Sequence, residues 1–231
     1  NTDISGSGTF QNVLSYALEN KTLSGNMDLK SNNFNLNDFI TDSGSEVKDV
    51  FLVPDKLNID IKAQIKSMKY TNLDMSNVAG DIQIQNQQIQ IRDGKANVLG
   101  GKMAIAGLYD SKGVANPHFD IKTSLEQIGF QDAFNQFNTI KLIAPVAQYI
   151  KGKFSTEFIS SGALGSDMMP DLNSLTVSGI LQTVDGIVSG FKPLEAISNK
   201  LNLASFNTLK LKNTKNWFEV KNGRVEIKDT G

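Results

Sequence analysis

Leu57-Asn-Ile-Asp-Ile-Lys-Ala-Gln-Ile65-Lys66 decides the fold. Leu57, Ile59, Ile61, Ala63 and Ile65 alternate strictly with polar residues, a period of two that an extended strand with one wet and one dry face satisfies. The pattern continues outward. After a break at Gly80, Ile82 and Ile84 alternate with Gln83 and Gln85, Ile89 and Ile91 with Gln90 and Arg92, and Met103 and Ile105 with Lys102 and Ala104. Asn86-Gln87, Asp93-Gly94 and Gly100-Gly101 carry turn chemistry, so Val53 to Tyr109 reads as an antiparallel meander.

The flanks are read by the same rule. Ile4 to Thr9 ends a strand, and Phe10, Val13, Leu14, Ala17 and Leu18 fall at helical spacing. Leu23 to Leu36 alternates again with Met27 and Leu29 on one face, and Thr41 to Lys48 is a polar loop. Beyond the meander, Phe119, Ile121, Thr123 and Leu125 mark a strand, and Phe130, Phe134 and Phe137 stripe a short helix. Pro145 opens a second helix that presents Val146, Tyr149 and Ile150 and ends before Gly152. Lys153 to Ser161 is a strand, Leu175–Leu181 and Val184–Val188 form a hairpin around Gln182-Thr183, and Pro193 starts a helix burying Leu194, Ile197 and Leu201. Trp217–Lys221 and Arg224–Lys228 close a two-residue hairpin on Asn222-Gly223, which sets Val220 opposite Val225 and Phe218 opposite Ile227. The last strand is then an open edge, which suggests that further strands follow, as the start at Asn1 suggests a cut inside a larger protein.

Composition excludes several function classes. The 231 residues carry 23 Lys and Arg against 24 Asp and Glu, with no basic run interleaved with aromatics, so nucleic acid is not an expected partner. Cysteine is absent, which removes disulfide and thiolate chemistry without deciding the compartment. No apolar run of about twenty residues is present to span a bilayer. His118 is the one histidine, and with Asp120 it lacks a nucleophile turn or a second imidazole for a metal. Gly6-Ser-Gly8-Thr9 and Leu99-Gly-Gly-Lys102 lack phosphate-loop spacing, and Asp167 with Asp171 is too few oxygens for calcium. No catalytic residue, metal site or cofactor is expected, and the Phe130, Phe134 and Phe137 stripe is core before it is an acyl site.

About ten strands stand against three or four short helices, and a helix covers a band only roughly 10 Å wide. The helices therefore leave apolar sheet face uncovered. It meets a second sheet in a β-sandwich, or it stays open to an apolar ligand; periodicity leaves both standing.

The order of Leu57-Asn-Ile-Asp-Ile-Lys-Ala, Met68-Lys-Tyr70, Leu73-Asp-Met-Ser-Asn-Val78-Ala-Gly80, Asn97-Val-Leu-Gly100-Gly101-Lys and Gly107-Leu-Tyr109 resembles the C-terminal region of AsmA-family proteins, closest to the Bacteroidetes type. Leu23-Ser-Gly25 with Leu36-Asn37, Leu142-Ile-Ala144-Pro145, Gly152-Lys-Phe154-Ser155, Met169-Pro170 and Phe218-Glu-Val-Lys-Asn222-Gly223-Arg224-Val225 are similar to it too. The resemblance implies a mainly β (α+β), elongated, strongly twisted antiparallel sheet forming a hydrophobic groove with a few short helices. It divides the chain into the end of a preceding β unit (1–52), a β-meander (53–125) and short helices with closing strands (126–231). It further implies a non-enzymatic periplasmic module of outer-membrane biogenesis, grouped with TamB and YhdP among bridge-like lipid-transfer proteins. Such a module is held to the inner membrane by an N-terminal anchor outside this sequence, and it handles phospholipid or another acyl-chain lipid, with envelope proteins as possible partners. The groove face so expected is Leu57, Ile59, Ile61, Ile65, Ile82, Ile84, Ile89, Ile91, Met103 and Ile105. The alternative is a closed β-sandwich acting as a scaffold or protein-interaction domain in envelope assembly.

Overall fold

A computed structural model describes residues 2–40, 50–112, 116–166, 168–202, 208–211 and 214–229. The loop expected at Thr41–Lys48 and the residue Asp167 lie outside the described residues. The described strands form one 12-stranded sheet that is laid out almost in chain order: β1 (Ser5–Gln11), β2 (Leu23–Asn35), β3 (Leu57–Tyr70), β4 (Leu73–Gln85), β5 (Gln88–Val98), β6 (Gly101–Asp110), β7 (His118–Gly129), β8 (Ile150–Ala163), β9 (Thr176–Ser189), β10 (Thr208–Leu211), β11 (Thr214–Lys221) and β12 (Arg224–Asp229). β10 and β11 pair in turn along the same edge of β9 in one continuous register, from Thr208 opposite Ser189 to Lys221 opposite Thr176. The sheet is open, and the chain is mainly β with short helices, as the alternation implies.

One pair departs from the antiparallel meander. β2 runs parallel to β3, with Leu23 beside Leu57 and Asn35 beside Lys69, so the chain must return the full length of the strands between them. Alternation cannot show this, because a strand's wet and dry faces are the same whichever way its neighbour runs.

Three turn expectations are corrected. Gly80 breaks nothing, and Asp93-Gly94 turns nothing: both sit inside long strands, where a Cβ on Gly80 would lie 3.2 Å from the Gly94 Cα. They are the two sides of one irregularity. The register between β5 and β6 slips between Ile91 and Gly94, and that extra residue keeps Ala96 and Val98 on the same face as Ile89 and Ile91. Gln182-Thr183 lies within the unbroken β9, where Thr183 is buried between Phe154 of β8 and Thr214 of β11. The hairpins of the meander turn at Asn86-Gln87 as expected, at Leu99-Gly100, one residue before the expected Gly100-Gly101, and at Thr71-Asn72, with Thr71, Asn86, Gln87, Leu99 and Gly100 all at positive φ. The Asn222-Gly223 hairpin stands as read, with φ of 52° and 68° and Val220 opposite Val225.

The helices are short: α1 (Val13–Glu19), α2 (Asn37–Ile40), α3 (Phe130–Gln136), α4 (Asn138–Ile143) and α5 (Lys192–Leu201), with a 3-10 turn over Pro145–Tyr149. The helix expected from Pro145 is that 3-10 turn; Tyr149 and Ile150 face the core as expected, Ala147 joins them, and Val146 is exposed. α3, α4, the 3-10 turn and α5 connect strands at one end of the sheet, and there they build the main core. Phe130 and Ala133 of α3 and Ala147 pack with Leu73, Met75, Val98, Ile128, Phe154 and Val188, all at most 8% exposed. Phe130 meets Phe154 with ring centroids 4.7 Å apart, and Phe134 and Phe137 pack on the same cluster, so the phenylalanine stripe is core. α5 turns Leu194 and Ser198 inward and leaves Ile197 and Leu201 half exposed, a correction to the expected stripe. α1 forms where the spacing predicts, yet none of its residues is buried.

Candidate functional site

Paired residues in a ladder point to the same side of a sheet, so the registers trace one face from edge to edge. One row runs Met27–Ile61–Ile82–Ile91–Gly107–Ile121–Ser160–Val177–Val220–Val225 across nine neighbouring pairs of strands. A second runs Gly25–Ile59–Ile84–Ile89–Tyr109–Phe119–Gly162, and a third Gly94–Ile105–Thr123–Phe158–Gly179–Phe218–Ile227. These rows contain no Lys, Arg, Asp or Glu. The charged residues that flank these rows along the strands lie on the reverse face, where Arg92 reaches Gln83 Oε1 at 2.6 Å and stands 3.9 Å from Asp60. The apolar face itself meets a charge at the sheet edge, where Asp229 follows Ile227 by two residues.

The ten residues expected on a groove face all stand together on this side. Leu57, Ile59, Ile61, Ile82, Ile84, Ile89, Ile91, Met103 and Ile105 are half-buried, and Ile65 is buried. Half-burial separates these nine from Leu73, Met75 and Val98, which lie on the same face but under the helices, with Met103 at the border against that cluster. Among the described residues no second sheet covers the middle rows, so the closed sandwich is not the architecture. The chain exposes 14316 Å², where a compact protein of this size exposes roughly 10,000 Å².

Over its middle strands the face is walled at both strand ends. One wall is the helical cluster already described. At the other, Leu164, Leu172 and Leu175 of the β8–β9 connection pack on Phe119 and Tyr109, and residues 50–56 lead across Tyr109 into β3. What remains open is a trough that runs across the strands, whose length at roughly 4.8 Å per strand is about 50 Å. Ile121, Phe158, Val177 and Phe218 belong to its floor, although the sequence reading did not place them there. Their alternation marks them as dry-face residues, but only the register says whose dry face they share.

The Tyr109 hydroxyl donates to the carbonyl of Phe51 and lies 4.0 Å from Met168 Sδ. Loss of solvation pushes its pKa up to about 12. Tyr70, packed against the helical wall, is raised for the same reason. His118 is exposed on the reverse face, its Nδ1 3.1 Å from the Asn116 carbonyl, opposite Asp110 in the ladder. Asp110 is held below the ordinary carboxylate range by the amide of Gln88 at 2.7 Å, then by the backbone N–H of Lys112. Two shallow hollows, of about 360 and 690 Å³, share Asn97, Lys102 and Glu126 in their lining. Among the described residues no three His, Cys, Asp or Glu converge to hold a metal ion, and no helix is long and apolar enough to cross a membrane. Comparison with protein-family models, curated proteins and solved structures finds no match.

Proposed function

We propose that the protein is a non-enzymatic lipid-handling module whose trough receives the acyl chains of phospholipid or a similar lipid. The observation that carries this reading is the set of uncharged rows, continuous across the sheet and half-exposed between two walls. Exposed apolar surface of this extent on a soluble face calls for an apolar occupant. A trough that crosses the strands gives each chain a run of isoleucine, valine and phenylalanine contacts and meets no charge that must be desolvated. The resemblance to AsmA-like sequences supports the same reading and extends it to the periplasm, with attachment to the inner membrane and a role in outer-membrane biogenesis.

Organic-solvent extraction of the purified protein followed by mass spectrometry tests the proposal, with bound phospholipid as the expected result. Lipid-free extracts together with no uptake from phospholipid vesicles would overturn it. A scaffold role in envelope assembly is the second reading. It draws on the outer strands β1 and β12, where Phe10 and Ile227 stay 42% and 63% exposed and an added strand from a protein partner would cover them.

A further inference from the structure

The wall opposite the helices is made partly of a segment that belongs to no strand. Residues 50–56 approach β3 by passing over Tyr109, which stands in the trough row between Ile89 and Phe119. The Phe51 ring lies against that of Tyr109, with centroids 6.4 Å apart and planes tilted by 38°. Two hydroxyls tether the segment. Tyr109 donates to the Phe51 carbonyl, and Ser111 Oγ accepts from the Val53 N–H at 2.9 Å while donating to the Gln87 carbonyl at 3.0 Å. Val53 and Ser111 are 2% and 1% exposed, whereas Phe51 and Leu52 remain 39% and 59% exposed.

From this geometry we propose that Phe51–Val53 is a displaceable strap, seated where a ligand chain would otherwise lie, so that loading the trough lifts it. The inference rests on the lipid-handling reading above. The strap can lift without breaking the sheet, because side-chain hydroxyls hold it where a ladder would hold a strand. An acyl chain that follows the Ile84–Ile89 row meets Phe51 at Tyr109, and its methylenes on the same apolar surface offset the burial that Phe51 and Val53 give up on lifting. Strap and ligand therefore compete for one seat, and the two tethers set the balance.

The test is binding of the fluorescent fatty acid cis-parinaric acid to the parent protein, to Tyr109→Phe and to Ser111→Ala, with hydrogen exchange followed at Val53. Tyr109→Phe keeps the ring and removes one tether, so binding should tighten by about fivefold, the worth of one hydrogen bond shifted out of the competing state. In the parent, the Val53 amide should exchange faster once the fatty acid is bound. Ser111→Ala carries the same expectation if Tyr109→Phe does not fold. Equal binding by parent and variants, with Val53 protection unchanged by ligand, would overturn the strap and leave the trough reading in place. Absence of binding by all three proteins would overturn both.

Discussion

Phe158 and Phe218 stand on strands that are not neighbours, β8 and β11, yet their rings meet edge to face with centroids 6.4 Å apart. Both are paired with Gly179 of the intervening β9, one from each side. The contact exists because the residue between them has no side chain. A Cβ at Gly179 would fall 2.3 Å from the Glu157 carbonyl oxygen and 2.5 Å from the Phe158 Cβ, so the neighbouring strand leaves no room for it. Gly179→Ala should therefore destabilise the protein by about 1–3 kcal/mol, the cost of overpacking. Urea denaturation measures it, and an unchanged midpoint would remove the packing argument.

Gly223 isolates a different effect. Its φ of 68° sits in the left-handed region, and a Cβ there would meet nothing within 4 Å. Gly223→Ala should cost about 1 kcal/mol through backbone conformation alone. A melting temperature equal to the parent's would contradict the turn's role in holding β12.

Ile61→Asp tests the trough directly. Ile61 is half-buried in an uncharged row and Lys62 exposed on the reverse face, with Ile82 and Asp81 as their partners on β4. A carboxylate at position 61 stays in contact with water in an unloaded trough, so the fold should survive with a loss of at most about 2 kcal/mol. Bound lipid should fall sharply in Ile61→Asp and stay at the parent level in Lys62→Asp. Equal lipid in both, measured by extraction, would rule this face out as the path.

Asp3 supplies the pH prediction. Its carboxylate accepts from the N–H groups of Asn33 at 2.6 Å and Asn32 at 3.2 Å, from Asn32 Nδ2 at 3.0 Å and from Ser31 Oγ at 3.1 Å. These donors, the Asn33 amide foremost, lower its pKa from 3.8 to about 2. A depressed carboxylate pKa means that its contribution is complete above the unfolded value and lost as pH falls through the folded one. The attachment of residues just before β1 to Ser31–Asn33 should thus weaken between about pH 4 and pH 2. An NMR titration of the Asp3 carboxyl, read together with Asn33 amide protection, checks this; a midpoint near 4 would contradict it.

Alternation in Leu57–Lys66, Ile82–Gln85 and Ile89–Arg92 was enough to establish strands, and with them which side chains avoid water, because a pleat places successive residues on opposite faces wherever the strand runs. Asn222-Gly223 likewise determined its own turn, since the required positive φ is a local property of those two residues. Gly80 and Asp93-Gly94 carried the same chemistry without turning the chain. Glycine permits a turn and a bulge equally, and the choice lay with the partner strands that continue past them. The apolar stripe of α1 predicted a helix but not its exposure, and Ile197 and Leu201 of α5 stay outside while Ser198 goes in. Periodicity records how a segment is folded and is silent about what lies across from it. For that reason the parallel pairing of β2 with β3, the gathering of the helices at one end, and the union of ten separate dry-face residues into one walled trough were decided only by tertiary register.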